Sequence, residues 1–363
     1  MTAAAIAATR LHSQQIAAPG LRSARDVVQW MGAMQAQDFP MSRWAVGLRL
    51  PGATAEAVEL ALARGEVLRT HLLRPTWHLV SSADVRWLLA LTGPRIRASL
   101  RSRHRQLELS REVIRRSNRV IEKTLRDGRH SGRARIVELL AAARIRTDEN
   151  RASHLLLIAE LDGIACSGPL VGGKPTYALL DERVPPGDRL HRDEALGRLA
   201  RRYFASRHPA TLADFAWWSG LTVRDATRAV GILGGELRSE LLAEQTYWMP
   251  AEAAAVRGTR ERLHLLPAYD EYTISYQDRG AALPSSSSAT AISSNGIFYP
   301  LVVREGRAIG TWKSSRADGR VLVIPRLFEP PRGADARKDL GDLMRRACRR
   351  YGRFLEAEVD LDL

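Results

Sequence analysis

Three stretches of the chain repeat one order of apolar and polar positions. In each, a helix-like stripe ends at a glycine and is followed by two short apolar runs with a polar tip between them. The helical stretches and their glycines are 54–64 with Gly65, 151–162 with Gly163, and 222–233 with Gly234. The paired runs behind them are 67–73 and 76–80, 164–168 and 176–180, and 236–242 and 245–249. Glycine suits the left-handed residue that follows many helix ends, so the pattern predicts three helix–hairpin repeats.

Further helical stretches precede each repeat and would complete a helix-turn-helix with a β wing. In the first unit, helix 24–34 is expected to end before a break at Pro40, and the chain resumes at 42–50. The preceding helices of the second and third units are predicted at 84–91, 95–106, 110–127, 132–143, 192–206 and 212–219. We therefore predict three tandem winged-helix units over residues 1–82, 83–188 and 189–250.

The pattern changes in the last part of the chain, over residues 251–363. Short β-like runs alternate with turns there, and the runs are 263–266, 296–303, 308–313 and 321–327. A final amphipathic stretch at 336–351 is predicted to be a helix. This order predicts a small β-barrel or open sheet that is covered by one helix. The expected fold class is α+β, mainly α.

The charge balance points to a polyanionic partner. The 363 residues include 55 basic and 40 acidic side chains, for a formal net charge of +15. Only Lys123, Lys174, Lys313 and Lys338 are lysines, and the other basic residues are arginines. A GC-rich genome and selection for binding could each produce that bias. The excess positive charge is expected to attract nucleic acid with an affinity that falls as salt rises.

Other broad classes of protein find no support in the sequence. Cys166 and Cys348 are far apart and fit neither a disulfide framework nor a zinc site. No apolar run reaches the ~20 residues of a membrane span. We expect a monomeric cytoplasmic protein at the nucleoid, with no metal, no cofactor, no membrane contact and no protein partner.

One short segment, Gln35-Ala36-Gln37-Asp38, is a candidate for chemistry. Residues two apart in an extended strand point to the same side, so the two amides could act together. Placed between arginine-rich elements, they could orient a water molecule against a sugar carbon. The alternative is a helix end that uses the glutamines as caps.

Several stretches spread along the chain match one known family together. They are 35–38 (QAQD) with 43–49 (RWAVGLR), 69–80 (RTHLLRPTWHLV), 266–272 (LPAYDEY), and 295–298 (NGIF) with 310–313 (GTWK). In this combination the sequence resembles the AlkZ/YcaQ family of DNA glycosylases over nearly its whole length. The resemblance implies three tandem winged helices and a β-barrel in a C-shaped clamp.

The same resemblance implies a catalytic pair, Gln35 and Gln37 around Ala36, as in the AlkZ branch that is linked to interstrand crosslinks and bulky toxin adducts. Glutamine cannot remove a proton, so it can only steer water by accepting a hydrogen bond. That suffices when the leaving group is already a cation, as N7-alkylguanine is. Asp38 is the one nearby carboxylate, and it could be a base or a helix cap.

The first unit contains no lysine, so it lacks the usual nucleophile of a strand-cleaving mechanism. We therefore expect a monofunctional glycosylase that acts on double-stranded DNA carrying alkylated purines and leaves an abasic site. The alternatives are a non-catalytic winged-helix regulator and a repair scaffold that binds without turnover. Aromatic residues are scattered, which predicts a shallow site without an aromatic cage.

Candidate DNA contacts come from two sources. Arg97, Arg101 and Arg105 fall four apart on one helical face, where like charges repel unless phosphates lie beside them. A solvated helix face is the alternative for this stripe. The stretches that resemble the family add further candidates, namely Arg43, Arg49, Arg74, His78 and Lys313. His78 on a hairpin could equally be structural.

Overall fold

The computed structural model describes residues 2–187, 190–242, 244–254, 256, 262–317 and 319–362. The helices are α1 Ala3–Ser13, α2 Ala24–Met31, α3 Phe39–Gly47, α4 Ala55–Ala63, α5 Val85–Gln106, α6 Arg111–Leu125, α7 Arg133–Ala142, α8 Arg151–Leu161, α9 Leu180–Arg183, α10 Arg192–Arg207, α11 Leu212–Ser219, α12 Val223–Leu233, α13 Glu271–Ile274, α14 Ser288–Ala291 and α15 Ala334–Leu355. The strands are β1 Met34–Gln35, β2 Val67–Leu72, β3 Thr76–Ser81, β4 Ala165–Ser167, β5 Tyr177–Leu179, β6 Ala210–Thr211, β7 Leu237–Leu242, β8 Gln245–Pro250, β9 Leu263–Leu266, β10 Leu301–Arg304, β11 Arg307–Ala317, β12 Arg320–Leu327 and β13 Val359–Leu361.

The first helix–hairpin repeat forms as the pattern predicts. Helix α4 ends before Gly65, whose φ of 74° lies in the left-handed region. Strands β2 and β3 then form a hairpin, and β1 adds to its β3 edge in the order β1-β3-β2. The predicted break at Pro40 is wrong, because Pro40 lies in the first turn of α3. Proline is tolerated there, since the first turn of a helix does not need its N–H.

The second repeat follows a long helix that the sequence predicted as two. Helix α5 continues through Pro94, although an interior proline costs ~3 kcal/mol. Leu88, Leu91 and Ile96 are buried on either side of it, so both halves of the helix pack into the core. Helix α8 then ends before Gly163, at a φ of 70°, and leads into the β4–β5 hairpin.

The third repeat shares its core with the first two. Helix α12 ends at Gly234 with a φ of 49°, and strands β6, β8 and β7 form the sheet behind it. One apolar cluster joins Leu68 of β2, Leu88 of α5 and Phe215 of α11. These units therefore pack as one body. Their winged-helix identity, their boundaries and a C-shaped clamp stay predictions, and the boundary at 188 and 189 lies outside the described residues.

The last part of the chain forms the predicted open sheet under one helix. Its strand order is β13-β12-β11-β10-β9, and all neighbours are antiparallel except β12 and β13. The run 296–303 is a strand only over Leu301–Arg304, because Phe298 forms an isolated bridge with Ile292 instead. Trp44 of α3 packs 5.1 Å from the Tyr351 ring of α15, which fixes the sheet against the first unit.

The architecture is thus mixed α and β, with helices around several small sheets and a half-barrel at the end. The N-terminal helix α1, which the sequence did not predict, packs against α10 and the β10–β11 turn. Every helix among the described residues is too short or too polar to cross a lipid bilayer.

Candidate active site

The two candidate glutamines lie on and just after the short edge strand β1. Gln35 pairs with His78 of β3 and is only 6% exposed, whereas Gln37 is exposed. The Gln35 Oε1 accepts a hydrogen bond from the Arg74 guanidinium at 2.8 Å. The Gln37 Oε1 accepts one from the Trp77 backbone N–H at 3.3 Å. Since both partners can only donate, they fix which end of each amide carries the oxygen.

A buried carboxylate holds β1 in place. The Glu271 Oε1 accepts from the Gln35 backbone N–H at 2.7 Å, and its Oε2 accepts from Arg207 at 2.6 Å and from the Trp218 indole at 2.9 Å. Burial alone would raise the pKa of Glu271. The Arg207 charge and the hydrogen bonds from Ser275 and Arg207 outweigh burial and bring that pKa down to about 2. Glu271 is therefore ionised at neutral pH.

Arg207 also holds the segment that enters β1. Its guanidinium donates to the Met31 carbonyl at 2.6 Å and to the Ala33 carbonyl at 2.9 Å. Arg207 is fully buried, as is its partner Glu271. Residues from α10, from α13 and from the first unit thus meet in one ion-pair network directly behind Gln35.

Arg69 and Trp77 form the other support of the glutamine segment. The Arg69 Nε donates to the Ala36 carbonyl at 3.0 Å, and its guanidinium lies 4.1 Å from the centre of a Trp77 ring. Burial lowers the pKa of Arg69 from its ordinary value. The Trp77 carbonyl in turn accepts from the Ala36 N–H at 2.7 Å. Ala36 between the two glutamines is thereby tied down at both its backbone groups.

Asp38 caps helix α3. Its Oδ1 accepts from the Met41 backbone N–H at 3.0 Å, which satisfies one of the free donors of the first helical turn. The capping alternative for Asp38 is therefore what the structure shows. The glutamines themselves do not cap a helix, because β1 and the bend after it separate them from α2.

A cationic and aromatic rim surrounds Gln35. Arg74 donates to the Trp217 carbonyl at 3.3 Å, and Trp217 remains 43% exposed. The Arg279 guanidinium lies 5.5 Å from a Trp217 ring and 5.0 Å from the Phe298 ring. Sequence reasoning named Arg74 as a candidate DNA contact but missed Trp217, Arg279 and Phe298, because they come from distant parts of the chain and no local pattern joins them to Arg74.

Two of the predicted DNA contacts are corrected by their burial. Arg49 is fully buried and forms a bidentate ion pair with Asp270, at 2.9 and 2.8 Å. His78 is fully buried, and its Nδ1 lies 3.0 Å from the Thr76 carbonyl oxygen. Neither side chain can reach a phosphate, so both are structural. Their place in a motif that matches a family did not distinguish packing from binding.

Arg74 lies beside Gln35, and the remaining predicted DNA contacts differ in whether they are paired with a carboxylate. Arg43 is paired with Glu59 and Arg97 with Asp162, which offsets their charges. Arg101, Arg105 and Lys313 are exposed, and none of them forms an ion pair within the described ranges. Trp312, next to Lys313, is buried with its indole N–H on the Leu266 carbonyl at 2.8 Å, so it is a core residue.

Comparisons with known proteins agree with the fold. A family model described as "DNA glycosylase AlkZ-like" matches residues 28–354. A protein of Streptomyces sahachiroi named "Interstrand DNA cross-link repair glycosylase" is 26% identical over 325 residues, which is 84% of this chain and 85% of that protein. The solved structure of Streptomyces sahachiroi DNA glycosylase AlkZ has a TM-score of 0.79 at 22% identity and covers 100% of both chains.

The buried imidazole opposite Gln35 gives a prediction about stability and pH. Burial, followed by the nearby Arg74 charge, lowers the pKa of His78 to about 3. A histidine that stays neutral in the fold contributes its full stability above pH ~6.5, and that stability is lost as pH falls towards the folded pKa. Between pH ~7.5 and ~5 the loss from this one group is about 2 kcal/mol.

We therefore expect His78→Asn to reduce the drop in unfolding free energy over that interval by about 2 kcal/mol, as measured by denaturant titration at each pH. His191→Asn is the matched control, because His191 is exposed. It should retain the wild-type drop. An unchanged pH dependence in His78→Asn would contradict a neutral, buried His78.

Proposed function

The chain belongs to the AlkZ-like family of DNA glycosylases, and from that premise we propose that it hydrolyses the N-glycosidic bond of cationic N7-alkylguanine in duplex DNA. The product is an abasic site in an unbroken strand. The observation that carries the proposal is a pair of amides, Gln35 and Gln37, held by donors on one hairpin beside Arg69 and Arg74. Membership of a glycosylase family argues against the non-catalytic regulator and scaffold alternatives.

The reaction requires little acid–base catalysis by the protein. The bond between C1′ and N9 breaks, and its electron pair neutralises the positive charge of the alkylated purine. Water adds its oxygen to C1′ and releases one proton to solvent. A general acid is unnecessary because the departing base is already a cation. The enzyme has to position the water and stabilise positive charge that develops on the sugar.

The two amide oxygens suit that task. Each accepts one hydrogen bond from the protein and keeps a second lone pair for a water proton. Because Glu271 and Arg69 fix the backbone on either side of Ala36, the oxygens are positioned before substrate arrives. Fixed dipoles of this kind act without the cost of reorientation during the reaction.

The rest of the molecule is proposed to hold the duplex. We assign the three helix–hairpin units to winged helices in a clamp, with Arg101 and Arg105 of α5 and Lys313 of β11 against backbone phosphates. Such contacts give affinity with little sequence preference. The relative named for interstrand cross-link repair supports bulky and crosslinked adducts as further substrates. We propose that the protein acts as a monomer at the nucleoid.

Release of N7-methylguanine from alkylated duplex DNA tests the proposal directly. Wild-type protein should release the base and leave the strand intact unless heat or alkali is applied. The double variant Gln35→Ala, Gln37→Ala should lose at least ~100-fold in single-turnover rate, about 2.7 kcal/mol of transition-state stabilisation, because no group then orients the water. Gln106→Ala is the matched control, since Gln106 is exposed at the end of α5.

Both variants should bind the adducted duplex as wild type does. Excision that survives in the double variant would show that the amides do not perform the chemistry. Strand cleavage by the purified wild-type enzyme would rule out a monofunctional mechanism.

One substitution distinguishes a helix-capping role of Asp38 from a role as general base. Asparagine caps a helix about as well as aspartate but cannot serve as a carboxylate base. If Asp38 only caps α3, Asp38→Asn should change the single-turnover rate of N7-methylguanine release by less than ~10-fold and leave thermal stability unchanged. A loss of ~1,000-fold with intact stability would instead make Asp38 the general base.

Salt dependence tests the duplex-binding face. Each phosphate contact contributes ~0.9 to the slope of log affinity against log salt. Arg101→Gln with Arg105→Gln should therefore reduce that slope by about two, as measured by fluorescence anisotropy on undamaged duplex. The matched control is Arg126→Gln with Arg135→Gln, because those exposed arginines are already paired with Glu122 and Glu138. An equal effect in both double variants would show only a loss of net charge.

A further inference from the structure

A small cavity lies directly beside the glutamine segment, where the first and second units meet. Its volume is about 290 Å³. Apolar side chains of both units line most of it, namely Phe39, Leu62, Trp77, Leu170, Pro175 and Tyr177. The Trp77 and Tyr177 rings are 6.3 Å apart between centroids. Three aromatic residues that lie far apart in the sequence, Phe39, Trp77 and Tyr177, are therefore brought together here.

The cavity shares its wall with the proposed catalytic segment. Trp77 donates its backbone N–H to the Gln37 side chain, and the guanidinium of Arg69 bonds the Ala36 carbonyl while it covers a Trp77 ring. Phe39 follows Gln37 by two residues. A group attached to a base whose sugar lies at Gln35 and Gln37 would thus have the cavity within reach of a short extension.

Several polar atoms of the wall are already used inside the protein. Ser167 Oγ accepts from the Arg69 backbone N–H at 2.8 Å, and Thr176 Oγ1 donates to the Pro169 carbonyl at 2.5 Å. The Arg69 Nε is committed to Ala36. A purine needs partners along its polar edge, and a site with few of them disfavours it. An apolar ring system needs none.

The two arginines of the cavity wall also favour an aromatic occupant. Arg69 and Arg133 line the cavity together with the rings. Arg133 is exposed, and its guanidinium bonds only the Ser153 hydroxyl, at 3.0 Å, among the described residues. Guanidinium groups stack on the faces of electron-rich rings, and they also attract the phosphates that accompany a DNA-borne ligand.

We propose that this cavity binds the planar aromatic substituent of a bulky purine adduct while the damaged nucleotide lies at Gln35 and Gln37. This rests on the proposed function and narrows its substrate class to adducts that carry a flat apolar ring system. The volume sits at the lower end of small-molecule sites, which suits a substituent of two or three fused rings. A methyl adduct would leave the cavity empty and gain nothing from it.

Filling the cavity separates this proposal from the catalytic one. Leu170→Trp places a larger side chain in the lining, and Val171→Trp makes the same change at the next residue, which is 60% exposed and not part of the wall. Single-turnover excision is measured on two duplexes, one with N7-methylguanine and one with an N7-(naphthylmethyl)guanine. Leu170→Trp should slow the naphthyl adduct by at least ~10-fold and the methyl adduct by less than ~2-fold, and Val171→Trp should affect neither.

Binding is measured without turnover in the Gln35→Ala, Gln37→Ala background. That protein should prefer the naphthyl duplex over the methyl duplex, and adding Leu170→Trp should abolish the preference. An equal loss on both adducts would assign the cavity to the base itself and overturn the proposal, as would no loss on either. If the wild type excises neither adduct but retains the binding preference, the catalytic proposal fails while the cavity assignment stands.

Discussion

The structure depends on one buried carboxylate. Glu271 joins a strand edge, an arginine and an indole that come from three separate parts of the chain, and its bond to the Gln35 N–H reaches across 236 positions of sequence. Burying an ion pair is expensive, and removing one partner of such a pair costs ~3–5 kcal/mol. The pair is therefore weak evidence for stability as such. Its geometric effect is clear, because it bonds the backbone of β1 at Gln35 itself, in addition to the pairing of that strand with β3.

Burial of ion pairs also changes how the high arginine content is to be interpreted. A net charge of +15 suggests a surface devoted to DNA, but several arginines are used inside the fold. Arg10, Arg49 and Arg207 are almost completely buried and paired with Asp214, Asp270 and Glu271. The planar guanidinium suits that role, since it bonds two oxygens of a carboxylate or several carbonyls at once. The arginines that remain as candidates for the proposed DNA contacts are the exposed and unpaired ones, of which Arg101 and Arg105 are examples.

Local rules account for what the sequence predicted well. The helix ends at Gly65, Gly163 and Gly234 follow from backbone sterics, and the hairpins follow from short apolar runs around polar tips. Tertiary packing accounts for the misses. Helix α5 continues through Pro94 because the residues on both sides of it are buried, and Pro40 lies in the first turn of α3, where a proline is tolerated. At the site, the resemblance to the glycosylase family made the glutamine pair a candidate that its two-residue spacing alone left open. Neither Glu271 behind the pair nor the cavity beside it could be predicted, because their residues are distant in sequence and adjacent only in the fold.

We propose that the charged pair of Glu271 and Arg207 holds Gln35 in the position from which its amide acts on the sugar. The most direct measurement is the single-turnover rate of N7-methylguanine release by Glu271→Gln, with thermal unfolding and affinity for the adducted duplex recorded in parallel. This substitution keeps an acceptor oxygen but leaves Arg207 without its counter-charge. Our expectation for this variant is a lower unfolding temperature and excision slowed by at least ~100-fold, with affinity for DNA within a few-fold of wild type. A folded Glu271→Gln protein that excises at the wild-type rate would contradict it.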